Sequence, residues 1–148
     1  MKNPFKSDSN THVIPLRFTN SKHLICQLYL NGVKGNFLID TGASNSCLDN
    51  TLTDKFSVLQ EGEELPLTSA GNEKLNAMGS QKSNLGIANK SLASIAFMLI
   101  DMKTINAALI EQGDDKIEGI IGADFLHKKK ARIDYDQSCL VLKESSWF

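Results

Sequence analysis

The sequence predicts an all-β domain, mainly β with one or two short helices, whose sheet is rolled or closed into a barrel. Three observations predict it. Apolar residues recur mostly in short alternating runs, the period of a strand rather than a helix. Turn-forming residues punctuate those runs, the Asn31-Gly32 pair being the strongest hairpin signal. Helical spacing shows in only two short stretches, 104–113 and 124–130. Many short strands without long covering helices bury their apolar faces by curling the sheet on itself.

In chain order, residues 1–10 are polar and aperiodic and are expected to form a flexible tail, leaving 11–148 as one domain. Residues 12–19 read as a strand. Leu24, Cys26, Leu28 and Leu30 alternate with Ile25, Gln27 and Tyr29, a strand covered partly on both faces. After the Asn31-Gly32 turn, 34–40 reads as the returning strand, 46–48 as a further short strand and 50–56 as a weak helical turn. Two hairpins follow: 65–69 with 74–79 around Ala70-Gly71-Asn72-Glu73, and 85–88 with 92–100 around Asn89-Lys90. Thr104 can cap the helix carrying Ile105, Ala108 and Leu109, which are expected in the core, and Gly113 can end it. In the helix at 124–130, the basic run His127-Lys128-Lys129-Lys130 suits the negative end of the dipole and reads as a solvated helix end. Residues 132–134 and 139–143 close the domain as a strand pair, with Asp134 and Asp136 in the turn between them.

Composition excludes several function classes. Sixteen basic residues against 17 acidic leave a net charge of −1, without the basic excess of a nucleic-acid binder. The apolar runs near 95–100 and 117–126 are too short or too interrupted to span a bilayer. No apolar stretch follows Lys2 and Lys6 as it would in a signal peptide. These features predict a soluble, cytoplasmic protein with no nucleic-acid or membrane partner. Cys26, Cys47 and Cys139 are widely spaced, and His12, His23 and His127 are scattered, so neither a zinc site nor a disulfide framework is expected. Cys47 reads as a buried thiol. No metal or organic cofactor is implied.

One segment carries chemistry: Asn36-Phe37-Leu38-Ile39-Asp40-Thr41-Gly42-Ala43-Ser44-Asn45-Ser46. An apolar strand delivers an aspartate into a tight, Gly-containing turn. Backbone N–H groups of the turn and the hydroxyls of Thr41 and Ser44 are the donors available to hold its carboxylate. Gly42 removes Cβ crowding, so a second backbone or a substrate can approach. Taken by itself, Asp40-Thr41-Gly42 also fits an ordinary Asx turn after a strand.

Here the chain resembles the aspartic proteases of the single-domain, retropepsin-like branch. Leu38-Ile39-Asp40-Thr41-Gly42-Ala43-Ser44 is similar to the family's active-site element. Ile117-Glu118-Gly119-Ile120-Ile121-Gly122-Ala123-Asp124-Phe125-Leu126 resembles the hydrophobic-hydrophobic-Gly segment that leads into its helix, and 131–135 with 140–142 resemble its closing strands. The resemblance runs from about residue 12 to residue 143 and implies the family's closed or rolled β-barrel. It implies an aspartic endopeptidase in which Asp40 is catalytic, Thr41, Gly42, Ala43 and Ser44 form the supporting loop, and Ile121 and Gly122 lie behind it. It implies a flap over the cleft, assigned by chain order to Ser69, Ala70, Gly71 and Asn72. The family's chemistry needs two carboxylates around one water, which share a proton because neighbouring like charges cannot both ionise. With a single Asp-Thr-Gly, the second carboxylate is implied to come from a homodimer partner, with Thr41 bonding across the axis and a peptide or protein substrate lying extended at the subunit boundary.

Two departures from the retroviral pattern stand out. Retroviral members pair an Asp two residues past the Gly with an Arg in the downstream segment; here Ser44 and Ala123 stand at those positions, so both partners are absent together. The flap candidate carries a single glycine. Both departures keep open a non-catalytic dimeric peptide-binding or assembly module on the same fold, and an unrelated β domain is the third reading. Asp124 can be a second carboxylate of the site or the cap of the helix that follows, and the cap is the expectation. Trp147 and Phe148 are expected to pack in the dimer.

Overall fold

The computed structural model describes residues 10–68 and 74–144. Two sheets build it. The smaller joins the ends of the chain: β1 (Thr11–Pro15) pairs antiparallel with β13 (Cys139–Lys143), which also pairs with β12 (Arg132–Asp134). The larger sheet begins with β2 (Arg17–Phe18), β3 (Leu24–Leu30), β4 (Val33–Ile39) and β5 (Cys47–Asp49). It continues with β6 (Gln60–Thr68), β7 (Lys74–Ser80), β8 (Ser83–Ile87), β9 (Lys90–Ile95), β10 (Met98–Ile100) and β11 (Gly119–Ile121). Its strand order is β6-β7-β10-β5-β11-β4-β3-β8-β9, with β2 on β3. Three short helices complete the described chain: α1 (Thr53–Phe56), α2 (Lys103–Glu111) and α3 (Ala123–Lys128). The mainly β, curled architecture agrees with the sequence-based expectation.

The strands follow from local chemistry. Asn31 (φ 50°) and Gly32 (φ 82°) both adopt left-handed backbone, as a two-residue turn with the twist of its flanking strands requires. The β3–β4 hairpin zips on either side, from Leu30 against Val33 to Leu24 against Ile39. Alternation sends Leu28, Leu30, Phe37 and Ile39 into the main core, with Leu48, Phe56, Phe97, Ile121 and Phe125. The intervening Ile25, Leu38 and Ile120 face a second cluster with Ile100, Met102, Leu109 and Ile117. Both faces of the central strands are thus covered, as the near-continuous apolar runs imply. Each fully buried side chain such as Phe37 contributes roughly 1.5–3 kcal/mol of transfer free energy.

Several elements depart from the sequence-based expectation. The strand at 12–19 is two strands. β1 ends at Pro15, and the Leu16 N–H donates to Ser138 O (2.8 Å), so the chain leaves the small sheet there and β2 joins the large one. The 92–100 strand also divides. The Phe97 N–H donates to the Ser80 hydroxyl (2.8 Å), and β10 crosses to lie between β7 and β5. Helix α2 begins before Thr104, and the Asp101 Oδ1 accepts the Lys103 N–H at its start. Leu109 is buried and Ile105 half-buried, but Ala108 is exposed, and Met102 takes the core position instead. Gly113, at φ 83°, follows the helix end as expected. The basic run is not uniformly solvated: Lys129 is 3% exposed. Burial, then the neighbouring Lys128, lowers its ammonium pKa, against an opposing pull from Glu144. Asp134 lies at the last turn as expected, accepting the Gln137 N–H. Residues 1–9, the flap candidate Ser69, Ala70, Gly71 and Asn72, and Trp147 and Phe148 lie outside the described residues.

Candidate active site

Strand order dictates the site. β11 lies between β4, which it meets parallel, and β5, which it meets antiparallel. The segment joining β4 to β5, residues 40–46, therefore arches over the C-terminal end of β11, where the chain turns into α3. Asp40 is the first residue of that arch. Its N–H donates to Ile121 O at 2.9 Å, which extends the β4–β11 ladder by one bond.

Asp40 as a residue is half-buried, and its Oδ1 accepts the Gly42 N–H at 2.9 Å in an exposed hydrogen bond. The Ala43 N–H returns to Asp40 O at 3.2 Å and closes the turn. A backbone donor of the turn thus holds the carboxylate, one of the two kinds of donor the sequence offers. The hydroxyls take no part among the described residues: Thr41 and Ser44 are exposed, and the Ser44 oxygen accepts from Asn45 Nδ2 at 3.5 Å. The arch presents Thr41, Gly42, Ser44 and Asn45 outward beside Asp40.

The underside of the arch is close-packed. A Cβ built on Gly122 would stand 2.5 Å from Ala43 O and 3.1 Å from the carbonyl carbon and oxygen of Asn45. Only glycine allows this approach, and the backbone there (φ −105°) carries no left-handed strain. The Ala123 N–H then donates to Ala43 O at 2.7 Å. Ile121 and Gly122, expected behind the loop, are both in contact with it.

Asp124 stands apart from Asp40 in role. Helix α3 starts at Ala123 with Gly122 at its N-cap, so Asp124 sits within the first turn rather than at the cap. Its Oδ1 accepts the Ser46 hydroxyl (2.7 Å) and the Phe125 N–H (2.8 Å), and its Oδ2 accepts the Ser46 N–H (2.9 Å). Ser46 ends the Asp40 segment, yet the sequence assigns its hydroxyl no role, because its partner lies 78 residues away. Cys47 is half-buried rather than buried. Burial first, then the charges of Asp124 and Asp40, pushes its thiol up to about 11. Among the described residues no group of His, Cys, Asp and Glu is placed to hold a metal ion, and no helix is long and apolar enough to cross a membrane.

The aspartyl protease family model matches residues 26–125, which include the whole arch and the segment beneath it. The chain belongs to the aspartyl protease family. Within a retrovirus-related Pol polyprotein from transposon 412 of Drosophila melanogaster, 117 residues are 31% identical to this aspartyl protease-family chain. That match spans 79% of the chain but 8% of the polyprotein's length. Among solved structures, a retropepsin-like aspartic protease from Rickettsia conorii superimposes with a TM-score of 0.54 at 20% identity, covering 93% of this chain and 95% of that one. The retroviral protease-like domain of Ddi1 from Leishmania major gives 0.57 at 19% identity, over 81% and 87%. EIAV protease, solved with an inhibitor, gives 0.53 at 15% identity, over 76% and 93%. The fold is retropepsin-like, as the sequence resemblance implied.

Proposed function

We propose that this chain is an aspartic endopeptidase that acts as a homodimer, with Asp40 and its symmetry mate sharing one water. The observation that carries the reading is the arch itself. The half-buried Asp40 stands at the edge of a hydrogen-bonded loop, its Oδ1 held by one backbone N–H. A symmetric partner brought against Thr41 and Gly42 sets two such carboxylates side by side, where they hold one proton between them. The ionised member takes a proton from water as the oxygen attacks the peptide carbonyl carbon. The protonated member donates to the carbonyl oxygen. The tetrahedral diol then returns one hydroxyl proton to that carboxylate while the other carboxyl passes the water's proton to the nitrogen, so the C–N bond breaks, acid and amine leave, and the pair again holds one proton. In this reading the exposed Thr41 hydroxyl bonds across the axis, and the substrate lies extended at the subunit boundary. No metal enters the scheme.

Digestion of a peptide library by the wild type and by Asp40→Asn at several pH values tests the reading. Cleavage by the wild type and none by the variant supports it. Cleavage by neither, with a stable dimer, favours a non-catalytic peptide-binding module. A chain that stays monomeric at high concentration rejects the shared site.

A further inference from the structure

We propose that Ser46 and Asp124 are positioning residues of this site: their hydrogen bonds set where the Asp40 arch stands, and turnover depends on them beyond their share in folding. The inference rests on Asp40 being the catalytic carboxylate. Five bonds join the arch to the segment beneath it, at residues 40, 43 and 46 on one side and 121–124 on the other. Asp40 N–H to Ile121 O (2.9 Å) holds the near end, and Ala123 N–H to Ala43 O (2.7 Å) holds the crown. The other three all pass through Ser46: its hydroxyl accepts the Gly122 N–H (3.0 Å) and donates to Asp124 Oδ1 (2.7 Å), and its N–H donates to Asp124 Oδ2 (2.9 Å).

The chemistry leaves this joint one arrangement. Ser46 is fully buried, and the Gly122 N–H occupies a hydroxyl lone pair, so the hydroxyl proton is directed at the carboxylate. The Asp124 carboxylate takes three donors, two from Ser46 and one from Phe125, and acts as a rigid acceptor plate. The Ser46 carbonyl accepts the Met98 N–H at 3.0 Å, which ties the same residue to β10. Asp40, by contrast, has among the described residues only the Gly42 N–H on its carboxylate, so its location is inherited from the arch. The charge pair of the retroviral pattern is missing at Ser44 and Ala123. The bracing of this arch therefore runs within one subunit, two residues further along the loop.

The test compares Ser46→Ala, Asp124→Asn and the hydroxyl-retaining Ser46→Thr with Leu92→Ala, a core truncation in the edge strand β9. Each is assayed where it is fully folded by circular dichroism. Ser46→Ala is expected to lower kcat per folded molecule by about tenfold or more, the penalty of a small misplacement of a reacting group, with KM within about twofold. Ser46→Thr recovers most of that loss, and Leu92→Ala leaves kcat unchanged. Amide hydrogen exchange at 42–45 rises by about tenfold in Ser46→Ala and not in Leu92→Ala. Asp124→Asn, which keeps shape but turns one acceptor into a donor, gives the same pattern and replaces Ser46→Ala if that variant does not fold. Unchanged kcat per folded molecule overturns the proposal, as does exchange at 42–45 no faster than in Leu92→Ala. If the wild type shows no Asp40-dependent cleavage, the endopeptidase reading fails by itself, and the exchange measurement alone decides whether Ser46 and Asp124 set the arch.

Discussion

Replacing Gly122 by alanine puts one methyl group where two strands of backbone already touch. The new Cβ would lie 2.5 Å from Ala43 O and 3.1 Å from two atoms of Asn45, all of them backbone. No side chain can swing aside, and the arch is pinned beside the contact by the Ala123 N–H bond of 2.7 Å to the same Ala43 oxygen. Relief requires the arch to rise off α3. Overpacking of this kind costs about 1–3 kcal/mol, and stretching or losing one buried backbone bond adds about 0.5–1.5 kcal/mol. The expected loss is therefore about 2–4 kcal/mol, a large fraction of the roughly 5–15 kcal/mol of a typical domain. For a chain of this length that corresponds to a fall of very roughly 5–15 °C in Tm. Gly32→Ala is the matched control. A Cβ there has nothing within 4 Å, and its cost, about 1–2 kcal/mol, comes only from a left-handed φ of 82°. Urea unfolding of both variants measures the difference. A Gly122→Ala protein as stable as the Gly32→Ala protein, with unchanged exchange at 42–45, would refute the close-packed arch.

Other expectations follow from the same coordinates. Cys47 is half-buried, yet its thiol is pushed from 9.0 up to about 11, so at pH 8 its thiolate fraction, and with it the alkylation rate, is about 100-fold below that of the unfolded chain. Mass-resolved labelling with and without urea reads this, and equal rates would contradict it. Burial pushes Cys26 up to about 12. Above pH 9 the unfolded chain sheds protons from both thiols that the folded chain keeps, so these groups make stability fall as pH rises from about 9 toward 11–12. Cys26→Ser and Cys47→Ser variants should show a shallower decline in urea melts over that range. Glu144 lies between His12 and Lys90, whose hydrogen bonds hold its carboxyl below the usual value of 4.5. A depressed carboxyl favours the folded state above its unfolded pKa and loses that effect as pH falls through the folded value. Glu144→Gln should therefore be less stable than wild type at pH 7 and equal to it near pH 2; a gap that persists in acid would show that its origin is not the charge.

What the sequence discloses is local, and what it hides is long-range. The Asn31-Gly32 turn and the alternation around it specify β3 and β4 because both signals act over a few residues. The last pair, β12 and β13, falls at 132–134 and 139–143 for the same reason. The Asp40 loop and the Ile121-Gly122 segment are legible as motifs, and each implies the other only through the family resemblance. The division of 92–100 is not legible. It depends on the Ser80 hydroxyl meeting the Phe97 N–H and on β10 finding β5, neither of which alternation encodes. Lys129 misleads because a basic run at a helix end is solvated unless the fold buries it; here it is 3% exposed, and the end of β13 meets it, the Lys143 N–H donating to Lys129 O at 2.8 Å. Ser46 closes the Asp40 segment in sequence, but nothing local assigns its hydroxyl a partner, and that partner, Asp124, arrives across 78 positions.

The central claim is that the reacting pair of carboxylates belongs to two chains, and subunit mixing tests it most directly. Wild-type and Asp40→Asn proteins are combined at constant total concentration, allowed to exchange, and assayed on one peptide. If each site needs Asp40 from both subunits, activity follows the square of the wild-type fraction, so one wild-type chain in ten leaves about 1% of the activity. Activity that falls in direct proportion, leaving about 10%, would mean that each chain works alone and would contradict the account.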